Sequence, residues 1–199
     1  MTNRATGIIL AGGNSSRFGS NKALAPWDGG QKLVERVCGI LRPLFSKKLI
    51  LTKNIDDFGF MGSSDVRVLQ DLFPEHHSLG GICSGLHHAQ TEFAFVCAVD
   101  MPLLQPKLIE ALWLASAGYE AAVPVWHGVV QPLCGFYSKN CLGILRHMVA
   151  ENRLRIHELF GIIRTRFFQE KEILALDPEG ISFLDIDTRE DYEKARSLR

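Results

Sequence analysis

Two cations and a pair of adjacent glycines fall within one short stretch, Ile8-Ile9-Leu10-Ala11-Gly12-Gly13-Asn14-Ser15-Ser16-Arg17-Phe18-Gly19-Ser20-Asn21-Lys22, and these residue types suit a triphosphate. Gly12 and Gly13 lack a Cβ, so the backbone there can turn its N–H groups toward an anion at close approach. Ser15 and Ser16 add hydroxyl donors. Arg17 offers a planar fork for two phosphate oxygens, whereas Lys22 supplies a compact charge able to follow a phosphoryl group during reaction. The stretch contains neither G-x-x-x-x-G-K-[ST] nor G-x-G-x-x-G, which disfavours a Walker-type ATPase and a dinucleotide dehydrogenase.

Two carboxylates stand where a parallel sheet gathers its ligands, at the carboxyl ends of strands. Asp71 follows Val66-Arg67-Val68-Leu69-Gln70, and Asp100 follows Phe95-Val96-Cys97-Ala98-Val99. Pro102 drives Met101 into an extended conformation, so the Asp100 carboxylate emerges where its strand stops. Mg²⁺ is held by one or two carboxylates together with phosphate oxygens, which makes Asp100 a candidate metal ligand. The alternative is an Asp that caps the following turn. A second glycine-rich run, Leu79-Gly80-Gly81-Ile82, opens a helix after Asp71. His76-His77 and His87-His88 make no metal face, because adjacent residues point to different sides of a helix or strand.

These groups are carried by an alternation of short apolar runs and amphipathic segments. Strands are expected at Gly7–Ala11, Lys48–Thr52, Val66–Leu69 and Phe93–Val99, and helices at Lys32–Phe45, Leu79–Gln90 and Pro106–Ala117. Pro106 suits a first helical position. Beyond residue 120 come strands at Ala121–Val125 and Val129–Tyr137 around the turn Trp126-His127-Gly128. Helices follow at Asn140–Ala150 and Arg155–Phe160, a strand at Ile162–Phe168, and a closing helix Thr188–Leu198 capped by Thr188. The pattern implies an α/β fold: a mainly parallel twisted sheet, helices on both faces, and an antiparallel edge. No linker or repeat divides the chain, so residues 1–199 are expected to form a single domain.

Composition bounds the function. Lys plus Arg equals Asp plus Glu at 22 each, so net charge gives no reason to invoke nucleic acid or an acidic membrane surface. No run approaches the roughly 20 apolar residues of a membrane span, and the apolar run before Gly12 is too short for a signal peptide. The five cysteines are widely spaced and form no C-x-x-C pair, which suggests neither a disulfide framework nor a zinc knuckle. A cytoplasmic protein is expected.

The string L-A-G-G-x-S-x-R-F-G-x-x-K resembles the signature of the sugar-phosphate type nucleotidyltransferases and, among them, the molybdenum cofactor guanylyltransferases. The resemblance continues through Asp71, Asp100, Val130-Gln131-Pro132-Leu133 and Leu184-Asp185-Ile186-Asp187-Thr188. It implies a Rossmann-like nucleotidyltransferase fold and transfer of GMP from GTP to molybdenum-bound molybdopterin, with release of pyrophosphate and Mg²⁺ as cofactor. Leu10, Ala11, Gly12, Lys22, Asp71 and Asp100 match nucleotide-binding positions. Gly13 and Gly80 belong to the two glycine-rich runs that shape the pocket, and Thr52 stands where an Asn often contacts nucleotide. Asp187 would join Asp100 on the metal, although Asp187-Thr188 also reads as the start of a helix. Gln131 would face the acceptor. Arg153 and Arg155 resemble a segment that could hold a pterin phosphate, although two arginines at a helix start are more often solvated.

In this reading Arg17, Lys22 and Asp100 are catalytic, through charge stabilisation during in-line attack on the α-phosphorus. Ala11-Gly12-Gly13 matches guanylyl-transferring relatives, where cytidylyl-transferring ones tend to read A-A-G. A cytidylyltransferase on the same pterin, a sugar-1-phosphate nucleotidyltransferase and a non-catalytic nucleotide sensor remain alternatives. Transient contacts with cofactor-synthesis proteins or recipient apo-enzymes would suit a cofactor-making protein.

Overall fold

The computed structural model describes residues 4–13, 21–73 and 78–198. Ser15, Ser16, Arg17 and His76-His77 lie outside the described residues. In chain order the strands and helices are β1 (Ala5–Leu10), β2 (Pro26–Asp28), β3 (Gln31–Lys32), α1 (Leu33–Leu41), β4 (Lys48–Thr52), β5 (Val66–Gln70), α2 (Ser78–His88), β6 (Phe93–Ala98), α3 (Pro106–Ala115), β7 (Ala121–Trp126), β8 (Val129–Val130), β9 (Cys134–Ser138), α4 (Leu142–Ala150), α5 (Ile156–Leu159), β10 (Thr165–Phe168), α6 (Glu170–Leu174) and α7 (Arg189–Ser197). The main sheet runs β10-β7-β9-β6-β1-β4-β5, with β8 attached to β7. Strand β1 is flanked by β4 and β6 in parallel. The chain therefore winds away from β1 in both directions, and ligands collect above such a switch point.

Strands β1, β4 and β6 are apolar runs because both of their faces are covered. On one face α1, α3 and α6 enclose a cluster that includes Phe45, Phe95 and Phe136, with the Phe45 and Phe95 rings 5.8 Å apart. On the other face α2, α4 and α5 pack Leu79, Ile82, Leu145 and Leu159 against Ile8, Leu51 and Val96. Each large apolar side chain withdrawn from water contributes about 1.5–3 kcal/mol, against about 0–1 for a surface ion pair. These two layers therefore hold the strand ends in place. The glycines of α2 serve this packing: a Cβ on Gly81 would come within 2.8 Å of Leu10 Cδ1, and one on Gly85 within 2.7 Å of Ile8 Cδ1.

All five cysteines are buried and unbridged. Burial pushes their thiols up, Cys83 to about 11 and Cys141 to about 12, which keeps them protonated and unreactive. Among the described residues no helix is long and apolar enough to cross a membrane.

The antiparallel pairing sits further inside the sheet than the sequence suggests. Strand β9 is antiparallel to both β6 and β7, whereas the edge strand β10 is parallel to β7. The expected strand Val129–Tyr137 is divided, because Pro132 has no N–H to give to a ladder. Strand β8 stops at Val130, and the chain turns into the slot beside β6, where the Tyr137 hydroxyl donates to Pro132 O at 2.7 Å. The ribbon β2–β3 and helix α6 are additional to the expected elements.

After α6 the chain returns toward the strand ends. Gly180 has φ +63, and a Cβ there would lie 2.0 Å from the Trp126 ring. Trp126 in turn stacks on Phe183 with centroids 5.3 Å apart. Gly180→Ala thus meets both an unfavourable backbone region and a filled ring position. It is expected to destabilise the protein by about 1–3 kcal/mol, read as a lower midpoint in urea unfolding.

Candidate active site

Parallel register aligns the chemistry. Leu10 of β1 is opposite Leu51 of β4 and Ala98 of β6, and Leu51 is opposite Leu69 of β5. Two residues beyond these stand Gly12, Lys53, Asp100 and Asp71. Bonds past the strand ends keep the alignment: Ala11 N donates to Leu51 O at 2.8 Å, Val99 N to Leu10 O at 3.1 Å and Asp71 N to Thr52 O at 2.8 Å. The result is a row in the order Asp100, Gly12, Lys53, Asp71. At about 4.8 Å per strand it spans about 14 Å. A cavity of about 270 Å³ opens over this row, walled by Leu10, Leu51 and Gly81 toward α2 and by Ala98 and Leu133 toward β9.

Asp100 is fixed by its neighbours. Met101 is buried, and Arg36 Nε donates to Pro102 O at 2.9 Å. The Asp100 carbonyl accepts from Ile186 N at 3.0 Å, which brings the C-terminal segment to the end of β6. Ile186 is wholly buried in a third apolar cluster with Trp27, Leu33 and Tyr192. Asp187 therefore arrives beside Asp100. Thr188 then caps α7, its hydroxyl accepting from Asp191 N at 3.1 Å, so Asp187 both precedes a helix and faces the cavity.

Lys22 lies between the two carboxylates. Its Nζ donates to Asp100 Oδ2 at 3.1 Å and to Asp187 Oδ1 at 3.1 Å. Burial alone would lower the Lys22 pKa, but the charge of Asp100 and the hydrogen bonds to both carboxylates outweigh it and raise the value. A third carboxylate, Asp185, on an exposed residue, is pushed up to about 7 by desolvation from the atoms around it and by the charges of Asp100 and Asp187, with Lys22 opposing. The arrangement can hold a cation and an anionic chain side by side over a glycine floor.

A nucleoside triphosphate transferase would need such a site, and the relatives agree. The family model for the MobA-like NTP transferase domain matches residues 7–161. The chain belongs to this family. A molybdenum cofactor guanylyltransferase of Desulfosudis oleivorans is 34% identical over 96% of this chain and 94% of its own. A Bacillus subtilis relative is 33% identical over 96% of each. The crystal structure of molybdopterin-guanine dinucleotide biosynthesis protein A from Archaeoglobus fulgidus superposes with a TM-score of 0.82 over 97% of both chains at 24% identity, a likeness of fold. The protein is a nucleotidyltransferase.

Leu10, Ala11, Gly12, Gly13, Lys22, Asp71, Asp100 and Asp187 all line the one cavity. Thr52 is buried, its hydroxyl turned to Asn54, and the neighbouring Lys53 faces the cavity instead. Gly80 is buried in the first turn of α2, and it is Gly81 that lines the wall. Gln131 precedes Leu133 in the β8–β9 connection, its Nε2 donating to Val129 O at 3.4 Å. Arg153 is paired with Glu158 at 2.8 Å, and Arg155 stands before α5; the structure does not bring either into the cavity. Lys53, Asn21 and Asp185 escaped the sequence reading. The strand-end rule, applied to β4 as it was to β5 and β6, would have named Lys53.

Lys22→Met removes the cation that Asp100 and Asp187 share and whose charge holds down the pKa of Asp185. An Asp raised in the native state, as Asp185 is, contributes stability at low pH that is lost as pH rises from its ordinary value toward about 7. Without Lys22 that loss deepens and extends upward. Urea unfolding at about pH 5 and about pH 8 is expected to show a steeper fall in Lys22→Met than in wild type.

Proposed function

We propose that the protein transfers GMP from GTP to molybdenum-molybdopterin, forming the guanine dinucleotide and pyrophosphate. The observation that carries this reading is the convergence of Asp100, Asp187 and Lys22 beside the Gly12-Gly13 turn, in a chain whose relatives include a molybdenum cofactor guanylyltransferase. All 199 residues act as one nucleotidyltransferase unit, since the segment carrying Asp187 completes the site that β1 and β6 begin. Five buried, unbridged thiols suit a reducing cytoplasm.

Asp100 and Asp187 fit Mg²⁺. They already share one positive centre, the Lys22 ammonium, and an all-oxygen pair that leaves room for phosphate ligands is what this ion takes. Bound there, Mg²⁺ supplies positive charge to the triphosphate oxygens as a Lewis acid. The chain does the rest by position and charge. Backbone N–H groups at Gly12 and Gly13 donate to phosphate oxygens. Lys22, exchanged from the carboxylates onto the triphosphate, stabilises charge that grows on the departing pyrophosphate. A terminal phosphate oxygen of the acceptor attacks the α-phosphorus in line. The new P–O bond forms as the bond to the bridging α–β oxygen breaks, and its electron pair leaves with pyrophosphate. No protein nucleophile is required. Gln131, in the connection that also places Leu133 at the cavity, is the acceptor-side residue of this scheme.

Purified protein given Mg²⁺, molybdenum-loaded molybdopterin and GTP is expected to release pyrophosphate, and CTP is expected not to substitute. Asp100→Asn is expected to lower turnover by about 10²–10⁴-fold while the thermal midpoint stays within a few degrees of wild type. Wild-type turnover in the folded variant would remove Asp100 from the mechanism.

A further inference from the structure

Lys53 faces the cavity, and the transfer chemistry above does not use it. It stands between Gly12 and Asp71 in the row of strand ends, and Gly12 separates it from Asp100. Its aliphatic stem lies over Gly12: a Cβ at that position would be 3.5 Å from Lys53 Cγ and 3.9 Å from Cε. A methyl group there would meet the lysine stem at ordinary van der Waals distance. Burial lowers the pKa of Lys53, and the charge of Asp71 acts in the opposite direction. Asp71 is itself oriented, with Oδ1 accepting from Phe73 N at 3.1 Å. Beside the two charges, Leu10 and Leu51 present an aliphatic wall.

A lysine next to a carboxylate is a poor trap for a polyanion, since the two charges largely cancel. It is a good reader of a neutral ring, because it sets a donor next to an oriented acceptor at the edge of an apolar wall. The triphosphate belongs at the other end of the row, with Lys22 and the glycine turn. The geometry points to Lys53 and Asp71 as the pair that reads the base as guanine, the ammonium donating to O6 and the carboxylate accepting from N1–H and the N2 amino group. This assignment rests on the guanylyl reading and adds its specificity element. Adenine presents an amino group where guanine has O6 and a bare ring nitrogen where guanine has N1–H, so both contacts reverse. The cytosine edge carries the same reversed order. Rejection then comes from two half-buried cavity groups left facing like partners.

Calorimetric titration with GTP, inosine triphosphate, ATP and CTP in the presence of Mg²⁺ tests the pair without an acceptor. Wild-type protein should bind GTP tightest, then inosine triphosphate, which lacks the N2 amino group, then ATP and CTP. Lys53→Met keeps the stem over Gly12 and removes the ammonium. It should weaken GTP and inosine triphosphate about tenfold to a hundredfold and leave ATP and CTP within about twofold. Lys53→Gln, which restores a donor, should recover part of the preference, and thermal melting verifies that both variants are folded. Equal weakening of all four nucleotides would make Lys53 a phosphate contact and overturn the assignment, as would unaltered GTP binding in Lys53→Met. Lys53-dependent GTP binding without pyrophosphate release would overturn the transferase reading and leave the base pair standing. Pyrophosphate release from GTP alongside unaltered binding in Lys53→Met would do the reverse.

Discussion

The register of β6, β1, β4 and β5 is the constraint on which every group at the site depends. Strand side chains alternate between faces, so a slip of one residue in any pair would turn that strand's contribution away from the cavity. Two packed layers prevent the slip. Ile9 and Ile50 fill one layer while Ile8, Leu49 and Leu51 fill the other, and neither set can be moved to the opposite face without opening a cavity. The close seat of α2 on β1 through Gly81 and Gly85 tightens the second layer at the place where Leu10 becomes the wall of the site. The same contacts that stabilise the sheet thus set the order Asp100, Gly12, Lys53, Asp71.

Charge along that row is unevenly distributed. At one end Asp100 and Asp187 share the Lys22 ammonium, and Asp185 lies close enough to feel all three charges. Carboxylates this close repel, and the raised pKa of both Lys22 and Asp185 reflects a site that favours holding positive charge. At the other end Lys53 and Asp71 largely cancel. A ligand with a polyanionic tail and a neutral ring is matched in that polarity, the tail drawn to cations and backbone N–H groups and the ring to a neutral hydrogen-bonding edge. Net charge over the whole chain, which balances, conveys none of this.

The sequence carried the strands of the parallel half well because their signals are local. Apolar runs mark β1, β4, β5 and β6, and the carboxylates that follow β5 and β6 could be named from position alone. Arg153 and Arg155 show where local signals stop. Two arginines before a helix are compatible with an anion site or with solvent, and what local sequence could not supply is their tertiary placement, with Arg153 paired to Glu158. Thr52 and Lys53 show a different limit. A shift of one residue along a strand end exchanges a buried hydroxyl for a cavity-facing ammonium, and strand ends are read from sequence no better than that. The glycines of α2 resembled a ligand loop, but at Gly81 and Gly85 a Cβ would fall on Leu10 and Ile8, so at those positions helix-to-sheet distance is itself a reason for glycine.

Asp187 was legible only through resemblance, and the physics of its placement explains why. It reaches Lys22 across a separation of 165 residues. No periodicity announces such a contact. What brings it there is apolar: Ile186 enters the cluster with Trp27 and Leu33, and the Trp27 and Tyr192 rings meet edge to face at 5.9 Å. Contacts between distant chain segments form against a larger loop-closure cost than local ones, so this cluster must hold the C-terminal segment by burial before the carboxylate can serve the site. Residues such as Ile186 and Tyr192, which touch no substrate in the proposed scheme, therefore govern whether a cation at Asp100 has one carboxylate partner or two. The apolar cluster and the charge cluster are adjacent links of the same segment, and the first positions the second.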